Sequence, residues 1–424
     1  MKRIAIVTSH PIQYNAPWFK LLAESNKVRP KVFYTWEQSA KGSKYDPDFG
    51  KAIEWDIPLL EGYEYTFVKN IAPDPGTHHF KGLINPTLNR EIAEWQPDAV
   101  LVFGWSFHSH LRCLRHFHKK VPVLFRGDST LLDERTGIKK QLRSIFLRWV
   151  YRNVDYALYV GTNNKRYFLK YGLKEDQLVF APHAIDNSRF AEPDTIYREE
   201  AANLRKRSGI AETDLVLLFA GKLEPKKNPF FLLELSKKIT GLSKGITGSS
   251  KAITESSKAI TGSSKSPTGS SESVTGQQLK IVIVGNGILE TGLKEAAAND
   301  PGIIFMDFQN QMQMPVIYRI GDIFILPSKG PGETWGLGAN EAMASGCAIM
   351  LSNKVGGAID LVRENGMVFG TTDIDQCAAW IEQILNRREE LSAMKDASRR
   401  MIKTFSYQQG VEAIERIMLG TPRS

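Results

Sequence analysis

Cysteine is scarce in this chain of 424 residues, and the three present, Cys113, Cys347 and Cys377, are odd in number and share no metal-ligand spacing. That excludes a disulfide-stapled secreted framework and fits a reducing compartment. Long apolar runs are missing too, since none approaches the roughly 18 residues needed to cross a bilayer. Behind Lys2 and Arg3 only Ile4 to Val7 precede Thr8-Ser9-His10, too short for the apolar region of a signal peptide. The expected location is the cytoplasm, with at most a peripheral place at the inner face of the plasma membrane. No aromatic-basic module of the nucleic-acid type occurs, so the net charge of +9 points away from nucleic acid and toward an anionic membrane surface or anionic small substrates. Basic clusters at 112–120 and 139–143 fall on helical patterns that could meet a lipid leaflet or form solvated faces.

What is present is an α/β pattern. The length suggests two domains of about 200 residues each. Apolar runs at 2–9, 29–36, 98–104, 121–125 and 155–161 read as buried strands separated by helical periodicity, which predicts a doubly wound parallel sheet. A further run at 178–184 ends the first unit, and strands at 215–221, 279–284 and 323–327 belong to a second. Residues 240–276 depart from this, repeating a seven-residue unit (TGSSKAI and variants) with one sizeable apolar residue per unit. That is too little for a coiled-coil seam, so the repeat reads as a disordered insertion on the sheet edge away from the ligand side.

The chain is organised around residues 323–350, which read strand, Gly-broken loop, helix, strand. The loop carries Glu333, then Thr334-Trp335-Gly336-Leu337, then Glu341 one turn into the helix. The free N–H groups and dipole of a helix start suit a phosphate. Carboxylates would repel phosphate, so the two glutamates are placed to accept hydrogen bonds from hydroxyls on either side of it. Hydroxyls, phosphates, hydroxyls describes a nucleotide sugar.

Two glutamates with seven residues between them, set between a strand ending Pro327-Ser328 and the helix Ala342-Met343-Ala344-Ser345-Gly346, resemble the retaining glycosyltransferases of family 4. The first turn, His10-Pro11-Ile12-Gln13-Tyr14, is similar to that of a bacterial subgroup and lacks the Gly-Gly pair that many members have there. The resemblance implies a GT-B fold, with an acceptor-side Rossmann-like domain over 1–187, a nucleotide-sugar domain over 188–404, and a last helix in 405–424 crossing back to the first. It implies that Lys222 and Lys227 contact the diphosphate with the Gly336 and Leu337 amides. Glu333 then holds the donor sugar, Glu341 the ribose, and Thr334, Gly285 and Phe308 complete the donor site. Ser9, His10, Gln13, Arg126 and Asp128 are candidates for sugar or acceptor contact. The alternatives are a turn histidine bonded to backbone at His10 and a loop salt bridge between Arg126 and Asp128.

The acceptor is expected to be a glycan or a lipid-linked glycan of the cell envelope, faced by a long loop that carries Tyr45, Asp46, Trp55 and His78-His79. Adjacent histidines alone are thin grounds for a metal. No Asp-x-Asp motif stands where magnesium would neutralise the diphosphate, so neither cofactor nor metal is expected. Gly285-Asn286-Gly287 with Asp307 is only a partial dinucleotide fingerprint, because Glu290 replaces its third glycine. A sugar-nucleotide 2-epimerase of the same fold and a non-catalytic nucleotide-sugar-binding protein are the competing readings.

Overall fold

A computed structural model describes residues 1–37, 44–46, 51–53, 56–134, 137–240 and 278–420. The repeat beyond Thr240, Trp55 and the side chains of Tyr45 and Asp46 lie outside the described residues. Among the described residues nine strands fall in the first half: β1 (Lys2–Thr8), β2 (Val28–Tyr34), β3 (Lys44–Asp46), β4 (Lys51–Ile53), β5 (Glu64–Phe67), β6 (Ala99–Phe103), β7 (Val123–Arg126), β8 (Tyr156–Tyr159) and β9 (Leu178–Phe180). Seven of them form a sheet in the order β5-β2-β1-β6-β7-β8-β9, and β3 pairs with β4 alone. The second half contributes β10 (Leu215–Ala220), β11 (Leu279–Val284), β12 (Ile303–Met306), β13 (Ile323–Leu326), β14 (Ala348–Ser352) and β15 (Gly366–Phe369), ordered β12-β11-β10-β13-β14-β15.

Every pairing within the two large sheets is parallel, for example Val7 opposite Phe33 and Val102, and Leu217 opposite Ile281 and Ile323. Helices cover both faces of a parallel sheet, which is why the central strands are continuous apolar runs rather than alternating ones. β7, β13 and β14 are buried along their whole length. The chain leaves β10 for β11 and β12 on one side, then returns to place β13 on the other, so the strand order reverses between β10 and β13. Ligands bind in the crevice outside the carboxyl ends of strands at such a reversal. The first sheet reverses likewise between β1 and β6.

The halves are laced together. Asn187 donates to the carbonyls of Ile402 and Phe405, each at 3.2 Å. Thr162 meets Asp360 through its amide at 2.9 Å and its hydroxyl at 2.5 Å. The last helix, Tyr407–Leu419, returns to the first domain, where Val411, Ile414 and Met418 share a core with Trp18, Phe19 and Leu22. Among the described residues, no helix is long and apolar enough to cross a membrane.

Gly410 allows that return. A Cβ there would lie 2.8 Å from the Trp18 indole, a rigid neighbour that is itself buried. Gly410→Val is expected to destabilise the protein by about 1–3 kcal/mol through overpacking. Its unfolding midpoint in urea should fall accordingly, and an unchanged midpoint would show that the helix does not depend on this contact.

Candidate active site at the domain cleft

The loops after β10, β11, β12 and β13 converge with the first-domain loops after β1 and β7 on a cavity of about 440 Å³. The β13 loop ends at Gly336, whose left-handed backbone (φ +94°) starts the helix Leu337–Ala344. A side chain there would be strained and would also press on Val355 at 2.7 Å. The turn lets Gly336, Leu337 and Gly338 line the cavity at the helix start. Here the dipole and unbonded N–H groups favour negative charge.

Opposite, the β10 loop carries Lys222, Lys226 and Lys227 along the wall. Lys227 Nζ lies 2.5 Å from Glu333 Oε2, an oxygen that also accepts from the Ser328 hydroxyl at 3.0 Å. Lys226 turns toward Glu224, 3.4 Å away. Gly285, expected to admit a nucleotide, lines the cavity but answers a nearer demand. Its φ is +132°, and a Cβ would sit 2.1 Å from the Gly221 carbonyl, so the β10 and β11 loops pass backbone against backbone.

Glu341 is buried at the cavity floor and accepts one hydrogen bond from each domain. The Tyr14 hydroxyl reaches Oε1 at 3.0 Å and the Tyr318 hydroxyl reaches Oε2 at 2.8 Å. Burial raises the carboxyl above its ordinary value, and the two hydroxyls only partly oppose it. Both tyrosines are pushed well above theirs, by burial first and then by the Glu341 charge, so they remain donors.

On the first-domain side Asp128 Oδ2 accepts from the Thr334 hydroxyl at 2.7 Å. Burial would raise this carboxyl, but the His183 ring and the Thr334 hydroxyl outweigh it and hold it at about 2. His183 Nε2 lies 3.7 Å from that carboxylate, beyond hydrogen-bond reach, and is buried with no partner. Burial lowers the His183 pKa, and the Asp128 carboxylate opposes that shift. Its backbone is fixed from the other domain, because Asn340 donates to the His183 carbonyl at 3.1 Å while accepting from the Trp335 indole at 2.9 Å.

Of the residues singled out in the sequence, Lys222, Lys227, Glu333, Glu341, Thr334, Gly336, Leu337, Gly285, Phe308, Gln13 and Asp128 line this one cavity. Ser9, His10 and Arg126 do not. Ser9 Oγ and His10 Nδ1 are 3.0 Å apart, and the His10 ring packs edge-on against Trp36, so both serve the turn. Arg126 is buried beneath the site, lies 4.7 Å from the Trp18 ring, and donates to the carbonyls of Ala181 and Pro182 at 2.8 and 3.1 Å. Desolvation lowers its pKa to about 10. It satisfies backbone groups past the end of β9 instead of reaching a ligand, and makes no salt bridge with Asp128. Gln311, in the loop from Phe308 read as a base contact, also lines the cavity, and Tyr14, His183, Tyr318 and Trp335 do so without having been assigned a contact in advance. For Tyr14 the signal was its place in the first-strand turn, and for His183 its place in the interdomain segment. Among the described residues Asp74, His78 and His79 form a group whose ligand atoms lie within 4.8 Å of one another. None of the three lines the cavity.

Because folding raises the Glu341 carboxyl above its unfolded value, the fold favours the protonated form, and stability is lost as pH rises from the unfolded pKa of about 4.3 through the folded one. Glu341→Gln removes that ionisation. Its melting temperature relative to the wild type should therefore rise as pH climbs through that interval. A difference that stays constant across that range in calorimetry would overturn the assignment of a buried, raised carboxyl.

Comparison with known proteins agrees with this architecture. Residues 200–401 match the family described as Glycosyl transferases group 1, and residues 52–189 match Glycosyltransferase Family 4. A D-inositol 3-phosphate glycosyltransferase of Geodermatophilus obscurus is 28% identical over 254 residues, 58% of this chain and 47% of that protein. The lipopolysaccharide 1,2-N-acetylglucosaminetransferase of Salmonella typhimurium is 29% identical over 199 residues, 45% of this chain and 43% of that one. The chain thus spans less than half the length of these curated relatives. Anabaena HepE, crystallised with UDP, has the same fold with a TM-score of 0.66 at 13% identity, covering 99% of this chain and 100% of that one. Sucrose-phosphate synthase of Thermosynechococcus elongatus gives 0.66 at 14% identity over 99% of both chains. One glycosyltransferase family is thus matched in each half of the chain, and the GT-B fold is matched throughout.

Proposed function

We propose that this protein is a retaining glycosyltransferase that moves a hexose-type sugar from a nucleoside-diphosphate sugar to a glycan or lipid-linked acceptor, without a metal. The observation that carries the reading is the gathering of Lys222, Lys227, Glu333 and Glu341 around one hollow at the strand-order reversal. Relatives support the finer terms. HepE was crystallised with UDP-glucose as well as UDP. The Salmonella relative is a lipopolysaccharide enzyme by its name, in keeping with a role in cell-envelope polysaccharide or lipopolysaccharide synthesis at a cytoplasmic membrane face.

In this reaction the bond from the anomeric carbon to the diphosphate oxygen breaks, a bond from the acceptor oxygen to that carbon forms on the same face, and the acceptor proton leaves with the phosphate. Charge grows on the diphosphate in the transition state. Lys222, Lys227 and the Gly336 and Leu337 amides are fixed before it grows, so they stabilise the transition state more than the ground state. Glu333, whose Oε2 is held by Lys227 and Ser328, accepts from donor-sugar hydroxyls. Glu341 accepts from the ribose through the lone pairs that Tyr14 and Tyr318 leave open. The unpartnered His183 Nε2, beside Asp128, is a polar atom that a bound sugar or acceptor hydroxyl would satisfy.

A panel of nucleotide sugars, tested for thermal shift and for products with no acceptor present, decides the matter. At least one UDP-sugar should raise the melting temperature, and Lys227→Ala should lower kcat/KM for transfer by about 10²–10³-fold, the loss typical of removing one transition-state donor. A donor recovered epimerised at its 2-position would replace the transferase reading, and no stabilisation by any nucleotide sugar would remove it.

A further inference from the structure

The helix Ile138–Tyr151 has two apolar faces. Leu147, Val150 and Tyr151 bury against the domain. Ile138, Leu142, Ile145, Phe146 and Trp149, at spacings of four, three, one and three, form a second stripe on the side away from that contact. Ile138 is 76%, Leu142 63% and Ile145 67% exposed, among the largest values for apolar side chains in the protein. A surface helix of a soluble domain carries polar residues there, and a contiguous exposed apolar patch marks an interaction site.

The charges around the stripe identify its partner. Lys139, Lys140, Arg143, Arg148 and Arg152 accompany it, and the sequence 138–152 contains no acid. The basic helix His108–Phe117 adjoins it, with the Arg115 guanidinium 5.1 Å from the Trp149 ring. The structure thus joins the two basic clusters of the sequence, 112–120 and 139–143, beside one apolar ridge. A second copy of the chain would set cation against cation. Nucleic acid would answer the charge and leave the ridge wet. An anionic bilayer answers both, taking the apolar side chains at the headgroup boundary and the cations at its phosphates.

We infer that the Ile138–Trp149 face is a docking surface for an anionic lipid leaflet. This deepens the partner named in the proposed function, since the loop leading from β7 to this helix also carries Asp128 of the cavity wall and Asp133, whose carboxylate accepts from the Gly332 amide across the cleft at 2.8 Å. A protein resting on this face holds the mouth of its cleft near the membrane plane, where a lipid-linked acceptor lies.

The test is co-sedimentation of the full chain with vesicles of phosphatidylcholine, alone or mixed with phosphatidylglycerol. The wild type should bind the mixed vesicles, release with added salt, and ignore the neutral ones. Ile145→Glu should weaken that binding about tenfold or more without changing the melting temperature or the thermal shift given by a nucleoside diphosphate. Binding to mixed vesicles that Ile145→Glu leaves intact would overturn the proposal. So would a wild type that does not sediment but is a dimer in solution, with Ile145→Glu a monomer. The vesicle readout needs no turnover, so it can fail while nucleotide binding succeeds, and the reverse.

Discussion

The cleft turns on a buried carboxylate shared between domains. Glu341 sits in the first turns of a second-domain helix and takes one tyrosine hydroxyl from its own domain and one from the other. A buried ionised acid is costly unless it is hydrogen-bonded, and here the hydrogen bonds come from Tyr14 and Tyr318, which sit on opposite domains. Thr334 with Asp128 and Gly332 with Asp133 repeat the arrangement, each pairing a first-domain carboxylate with a donor on the β13 loop. The loop that shapes the site is therefore fixed by the domain opposite it, and the relative position of the domains and the geometry of the site are one constraint.

That constraint explains what could be read from the chain and what could not. Parallel strands buried on both faces are continuous apolar runs, so most of both sheets was legible, as was the loop carrying Glu333 and Glu341 with its glycine-started helix. Those signals are local. Tyr14 lies 327 residues from Glu341, and nothing in its neighbourhood distinguishes a tyrosine serving a remote carboxylate from one serving a turn. Tyr318 looks like core, which it also is. Arg126 misled in the opposite sense. An arginine and an aspartate at a strand end suggest a ligand, but the carbonyls of Ala181 and Pro182, two strands away, claim the guanidinium first. Only the strand order shows that they are near.

The glycines teach a related point. Gly285 follows a buried strand as a phosphate-binding glycine would, yet its lack of a side chain is used first by the Gly221 carbonyl of the adjacent loop. Two backbones in that contact line the crevice beside them with peptide groups, whose N–H donors suit a diphosphate. Packing between loops and room for a ligand are satisfied by the same missing Cβ, so the glycine pattern alone does not separate them.

The outward stripe on Ile138–Tyr151 belongs to a different selection from the cleft. Its helix gains its packing from Leu147, Val150 and Tyr151 near the carboxyl end, while residues 138–146 are exposed or half-buried. Isolated helical turns are marginal in water, and apolar side chains facing solvent add nothing to their stability. Nor does this face reach the lysines and glutamates of the cavity, so catalysis does not require Ile138, Leu142 or Ile145 to be apolar. A residue pattern that neither the core nor the reaction demands must answer to a third surface, and the excess of positive charge beside it sets the sign that surface carries.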